Sequence, residues 1–242
     1  SGKISASASA TTDISGTYGF LVAKALGAVA VSMYGYGETT ITNSNSITAS
    51  AETSQGYAGS WGAVSLAGVY GSASIENEGL ISTYSHTDIG SADTTGAYVT
   101  SIAGTSSLVN YGDISANARA ERGIVNVSVN YADATGVQLW APYGSGEATL
   151  ANYGRIEANT SILGGIGYAT GVQAYGTYTS IHNPADASIT ATVDAELFGG
   201  AFATAVEAGG MYSVGVVNDG SITAYGHANA FSEGTNGFYG AS

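Results

Sequence analysis

Small apolar and polar residues alternate along most of this chain, in short runs that each begin at an isoleucine. Ile4-Ala6-Ala8-Ala10, Ile47-Ala49-Ala51, Ile114-Ala116-Ala118-Ala120 and Ile189-Ala191-Val193-Ala195 take every second position, with Ser, Thr, Asn and charged residues between. A period of two sends alternate side chains to opposite faces, so each run predicts a β-strand with one face buried. A second run opens at a glycine, as in Gly171-Val172-Gln173-Ala174-Tyr175 and Gly136-Val137-Gln138-Leu139-Trp140. A third precedes an asparagine, as in Ala148-Thr149-Leu150-Ala151 and Ser213-Val214-Gly215-Val216-Val217.

The three runs recur in fixed order. Leu150-Ala151-Asn152-Tyr153-Gly154-Arg155-Ile156-Glu157-Ala158 has close copies starting at Leu108 and Val216, and looser ones around Asn43, Asn77 and Asn183. The anchor isoleucines are Ile4, Ile47, Ile81, Ile114, Ile156, Ile189 and Ile222, mostly 33 residues apart, with two longer units of 43 and 42. Fifteen residues after the isoleucine stands a glycine in five units (Gly19, Gly62, Gly96, Gly171, Gly237), while it slips to Gly136 in one and gives way to Ala205 in another.

A repeat of this length is one supersecondary unit that cannot bury its inner face alone and must stack on its neighbours. Three strands per unit, joined by corners, predict an all-β, right-handed parallel β-helix of about seven three-stranded coils, forming a single array over 1–242; the hand follows from the chirality of parallel crossovers. At roughly 4.8 Å per coil the rod is on the order of 30 Å long. The two long units place their extra residues near 26–37 and 119–133, the second including Arg119, Glu121, Arg122 and Asp133, as surface loops of the kind that bind partners. Asn43, Asn77, Asn110, Asn152, Asn183 and Asn218 fall at one corner of six coils, where each amide can satisfy the turn and bond the next in a ladder. Asn183 leads into Pro184 and reaches its isoleucine in six residues rather than four, so that corner bulges.

Composition narrows the function. Thirty-six glycines against two prolines, with charged residues only 10% of the chain, suit strands and tight turns rather than helices or disorder. A net charge of −13, from 18 acids and five bases, repels phosphate backbones and anionic lipid, which disfavours nucleic acid and membrane-surface partners. Absence of cysteine excludes disulfides and thiolate metal sites. The apolar run from Phe20 to Met33 is interrupted by Lys24 and is too short to span a bilayer, so it reads as buried strand plus the extra residues of the first long unit.

Candidate chemistry is sparse. The carboxylate pairs that a sugar-cleaving site would need are Glu76 with Glu78, Asp113 with Glu157, and Asp194 with Glu196, and each reads as solvated surface. His86, His182 and His227 show no shared repeat position and no metal spacing, and neither a nucleophile elbow nor a phosphate-binding glycine loop is present; no cofactor and no metal is expected. Aromatic residues are the stronger signal. Tyr111 and Tyr153 follow the asparagine in adjacent coils and can stack, while Trp140, Pro142 and Tyr143 mark an exposed corner with Tyr175 one coil on; stacked rings dock sugars and also stabilise sheets unaided. Outward Ser and Thr suggest an ice-binding array, but Tyr84, Arg119, Glu157, Tyr225 and His227 interrupt it.

Coils of the form I-x-A-x-A, x-G-V-x-A and x-N-x-G-x-I, rich in Ala, Gly, Ser, Thr and Asn, acidic and free of cysteine, resemble the passenger region of bacterial autotransporters, the pertactin-like β-helix. The resemblance spans the whole chain and rests on texture and period. It implies export through the inner membrane, translocation by a C-terminal barrel, and a non-enzymatic rod at the cell surface or shed from it, a stalk or adhesin in adhesion or biofilm. Partners so implied are surface glycans, host proteins or further copies of the chain, with no insertion of this segment into the membrane. A chain that starts and ends in mid-coil reads as a piece of a longer array. The competing expectation is a carbohydrate-active or carbohydrate-binding β-helix, such as a polysaccharide lyase or phage tailspike, marked by two close carboxylates with perturbed proton affinity.

Overall fold

The computed structural model describes residues 2–11, 21–32, 36–121, 130–196 and 199–229. Among them are fifteen strands and no helix. They stack as three columns of parallel ladders, a β-solenoid of about six turns.

The first column holds β1 (Lys3–Ala10), the opening halves of β4 (Ser46–Ala67) and β6 (Leu80–Ser101), then β8 (Asp113–Ala120), β11 (Arg155–Leu163), β13 (Ser188–Glu196) and β15 (Ser221–Asn229). β2 (Leu21–Ser32), the closing halves of β4 and β6, β9 (Asn130–Ala141) and the opening parts of β12 (Gly165–Asn183) and β14 (Gly200–Asn218) form the second. The third comprises β3 (Glu38–Asn43), β5 (Ser72–Asn77), β7 (Thr105–Asn110), β10 (Glu147–Asn152) and the ends of β12 and β14. β4 and β6 pass from first to second column without a break because glycine takes the corner: Gly56 and Gly90 lie one above the other at φ 108° and 127°. A side chain there meets both the left-handed backbone and the carbonyl of the coil beneath.

The anchor isoleucines pair rung by rung: Ile4 with Ile47, Ile47 with Ile81, and so on to Ile189 with Ile222. All but the exposed Ile4 meet Ile41, Ile75, Leu108, Leu150 and Ile181 of the third column and Val99, Val137, Leu139 and Val172 of the second in one cluster. Beyond it the first and second columns close on each other and alanine predominates, joined by Ile162 and Val193 in the upper coils. Ala92, Ala116, Ala118, Ala132, Ala134 and Ala158 are among those filling this narrow part of the upper coils, as Ala23, Ala25, Ala49, Ala51 and Ala58 do in the lower. Between the two alanine stacks lies a buried polar seam, where Ser60 Oγ is 2.9 Å from Ser85 Oγ and 3.0 Å from Thr94 Oγ1. Ser85 also donates to the Asp93 carbonyl at 2.6 Å. Full pairing is what makes hydroxyls tolerable there.

The glycine anchor has a steric cause. A Cβ on Gly62 would lie 2.5 Å from Ile81 Cγ2 and 2.5 Å from the Gly96 carbonyl oxygen, and the same pair of neighbours confronts Gly96, Gly136 and Gly171. The methyl groups of Ile47, Ile81, Ile114, Ile156 and Ile189 thus occupy the place of a side chain on the coil below. In the first unit the register assigns this position to Gly27, which faces Ile47 and Gly62, so Gly27 replaces Gly19 as the anchor. Gly19 and Gly237 lie outside the described residues.

Two further expectations are corrected by the register. Leu26 to Ser32 pair with Trp61 to Ala67, so the extra residues of the first unit fall between β1 and β2 and not at 26–37. Those of the second long unit do fall within the expected 119–133 but only between β8 and β9: Arg119 is on β8, Asp133 is a strand residue paired with Asp93 and Tyr168, and Arg122 lies outside the described residues. The corner after Asn183 does bulge, closed by the Ala187 N–H donating to the Pro184 carbonyl at 3.0 Å.

Candidate functional site

The six corner asparagines stand in one column. Each Nδ2 donates to the Oδ1 of the next, from Asn43 to Asn77 (2.7 Å), Asn110 (2.8 Å), Asn152 (2.8 Å), Asn183 (2.8 Å) and Asn218 (2.7 Å). The second Nδ2 hydrogen goes to a corner carbonyl, such as Gly79 for Asn77, Gly112 for Asn110 and Ser188 for Asn152. With both hydrogens engaged from Asn43 to Asn183 and Asn77, Asn110, Asn152 and Asn183 fully buried, the column up to Asn183 has no donor to offer a ligand.

The five aromatic candidates fall at two separate places. Tyr111 and Tyr153 stack at the asparagine corner with ring centroids 5.1 Å apart and planes 10° from parallel, and His182 meets Tyr153 edge-on. Beside them Arg155 bridges Asp113 (3.4 Å) and Glu157 (3.2 Å), so a guanidinium separates the two carboxylates considered as a pair. Glu78, Tyr111, Asp113, Arg155 and Asp186 line a shallow open groove there. Trp140 and Tyr175 lie instead on the outward face of the second column, rings 5.2 Å apart at 60°. Tyr175 donates to Glu207, which holds its phenol up at about 12, and Glu207 also accepts from Gln173 at 3.1 Å. Tyr143 is 66% exposed at the corner that follows β9.

The outward face of the second column also carries a carboxylate pair. Asp93 on β6 and Asp133 on β9 are register partners on successive coils, side by side and half-buried. Tyr57 donates to Asp93 Oδ2 at 3.1 Å and Tyr131 to Asp133 Oδ2 at 3.0 Å. Burial pushes the Asp133 carboxyl up to about 6 and the neighbouring Asp93 charge adds to this, while the Tyr131 hydrogen bond pulls the other way. Burial likewise raises Asp93, opposed by its bond from Tyr57. Both phenols are raised in turn, by burial first and then by the carboxylates they face. A run of rings continues from the pair, Tyr131 to Tyr168 (5.4 Å) and Tyr168 to Phe202 (5.0 Å, 14° from parallel). Two acids of elevated proton affinity framed by phenols and rings form the most distinctive chemistry among the described residues.

No family model matches this chain, and no curated protein or solved structure matches it. The fold and the side chains themselves therefore carry the functional reading.

The acid pair had a signal in the sequence. Asp93 and Asp133 each stand three residues before their anchor glycine, in Asp-Thr-Thr-Gly and Asp-Ala-Thr-Gly. The second long unit displaces the match when counted from the isoleucine, which assigned Asp133 to a loop. The histidines need a similar correction: His86 and His227 do share a column, each five residues after its anchor, and His227 Nδ1 lies 3.0 Å from Asp194 Oδ1 of the coil below.

Proposed function

We propose that this protein is a non-enzymatic display rod, a segment of an autotransporter-like passenger that works at or beyond the bacterial cell surface as stalk and adhesin. The observation that carries the reading is the unbroken asparagine ladder, five successive links of 2.7–2.8 Å running along the array. Like residues bonded to like give every coil the same section, which suits a stiff spacer more than a cleft. Adhesion would use the outward face of the second column, where rings and hydrogen-bonding groups alternate in a pattern suited to glycan rings, protein loops or a second copy of the chain. Beads coated with the purified protein should bind bacterial or host cells above uncoated beads, and Tyr168→Ala with Trp140→Ala should reduce capture severalfold. Capture equal to that by uncoated beads would remove the adhesin reading.

One observation favours a second reading, a carbohydrate-active β-helix. Asp93 and Asp133 are two close carboxyl groups with raised proton affinity, and a protonated carboxyl beside an ionised one is the acid and base that glycoside cleavage requires. Both sit on one open face, which suits binding a sugar better than flanking its glycosidic bond. Incubating the protein with capsular and cell-wall glycans at about pH 6, near the value to which Asp133 is raised, distinguishes the two. New reducing ends that vanish with Asp133→Asn would establish cleavage and displace the display reading.

A further inference from the structure

At the far edge of the first column the register brings an acid from the next coil against a histidine and an acid two residues apart on β6. Tyr84, His86 and Asp88 alternate outward along β6, and the coil above brings Arg119 over His86 and Glu121 beside Asp88, its N–H donating to the Thr87 carbonyl at 3.0 Å. His86 Nε2 lies 3.6 Å from Asp88 Oδ1 and 3.5 Å from Glu121 Oε1, and all three donor atoms fall within 4.8 Å of one another. Among the described residues Nε2 is closed to solvent and has no hydrogen-bond partner, which costs free energy unless something else engages it.

From this geometry we infer that His86, Asp88 and Glu121 form a three-ligand site for a divalent transition-metal ion of the zinc type. Donors bound to a tetrahedral ion at roughly 2.0–2.2 Å stand about 3.3–3.6 Å apart, which is the separation His86 Nε2 already keeps from both carboxylate oxygens. One imidazole with two carboxylates suits zinc and its first-row neighbours; calcium wants six or more oxygens and gains nothing from the ring. His86 and Asp88 stand on β6 and Glu121 directly follows β8, while the Tyr84 ring stacks beside the imidazole, centroids 6.2 Å apart and planes at 27°. Arg119 Nη2 lies 2.9 Å from that same Glu121 Oε1, so an ion bound there shares the oxygen with the guanidinium or displaces it. Glu52, register neighbour of His86 on the coil below, offsets the guanidinium, so Asp88, Glu121, Glu52 and Arg119 together leave a net negative site that a dication neutralises.

The test uses the whole chain, stripped with chelator and titrated with zinc chloride by calorimetry, with thermal unfolding measured in parallel. One zinc per chain and a raised Tm are expected. His86→Ala and Glu121→Gln, both checked for native far-UV circular dichroism, should each weaken binding at least about tenfold, while the His182→Ala/His227→Ala double variant should bind as the parent does. Absence of zinc binding overturns the site, leaving His86 as an ion-pair partner of its two acids. Binding that survives His86→Ala, or that calcium chloride reproduces in full, overturns it as well.

Discussion

Asp133 is held by the fold in a setting that disfavours its charge, and the consequence for stability has a definite sign. Its folded proton affinity, at about 6, lies above the unfolded value near 3.9, so between those pH values the native state binds more protons than the unfolded one. The stabilisation is present in full below about pH 4 and is lost as pH rises through about 6. Asp133→Asn keeps the shape and removes the charge. At pH 8 it should raise stability by on the order of 1–2 kcal/mol, allowing for solvent screening, and the gain should vanish by about pH 4; urea titrations of both proteins across that range measure it. Asn110 gives the opposite case. It is fully buried, donates to Asn152 Oδ1 and the Gly112 carbonyl, and accepts from Asn77. Asn110→Ala strands a donor below and an acceptor above and should cost about 2–4 kcal/mol, whereas Asn218→Ala, at an exposed position, should cost under about 1 kcal/mol; denaturant midpoints of the two variants give the comparison.

Among the elements, glycine and isoleucine act as a coupled pair across coils, and substitution tests the coupling. A Cβ on Gly96 would lie 2.5 Å from the Gly136 carbonyl oxygen and 2.6 Å from Ile114 Cγ2, with backbone on one side that cannot turn away. Gly96→Ala should therefore destabilise by about 1–3 kcal/mol through overpacking. Where Ala205 already stands in this column, Ala205→Gly should cost no more than about 1 kcal/mol; thermal melts of the two variants decide it. The same pair explains what the sequence could reveal. Strand order, the parallel ladders and the asparagine column were legible because they repeat at one spacing. The anchor of the first unit was misread because Gly19 happens to stand fifteen residues after Ile4 while the true neighbour, Gly27, is displaced by the extra residues before β2. That displacement then shifted the inferred insertion by a whole strand. The His86 cluster was hidden for a related reason, since Asp88 and Glu121 become neighbours only through the rung-to-rung register; Asp93 and Asp133 shared a place three residues before the anchor glycine, a match masked by the extra residues that precede β9. Aromatic stacking at Tyr111 and Tyr153 was legible because both follow the ladder asparagine directly.

For the whole molecule, each coil touches only the coils above and below it, so stability should propagate along the axis instead of being shared equally by all strands. The interior also changes along that axis: isoleucine, leucine and valine run through the wide part, while the narrow part passes from alanine to the Ser60–Ser85–Thr94 seam and back to alanine. A defect placed in the middle coil tests how far one coil feels another. In the parent protein, amides of β6, β8 and β9 should exchange slowest, and those of β14 and β15, whose side chains are mostly exposed, fastest. Asn110→Ala should accelerate exchange most in β5, β7 and β10, the strands joined through that amide, with the effect fading over one or two coils toward β3 and the end of β14. Hydrogen exchange followed by mass spectrometry resolves the pattern peptide by peptide. An equal loss of protection in every strand would mean that the rod unfolds as one all-or-none unit, and the nearest-neighbour account of its stability would fail. A graded loss would mean that the ladder couples adjacent coils while leaving distant ones independent, so that local damage does not unravel the array.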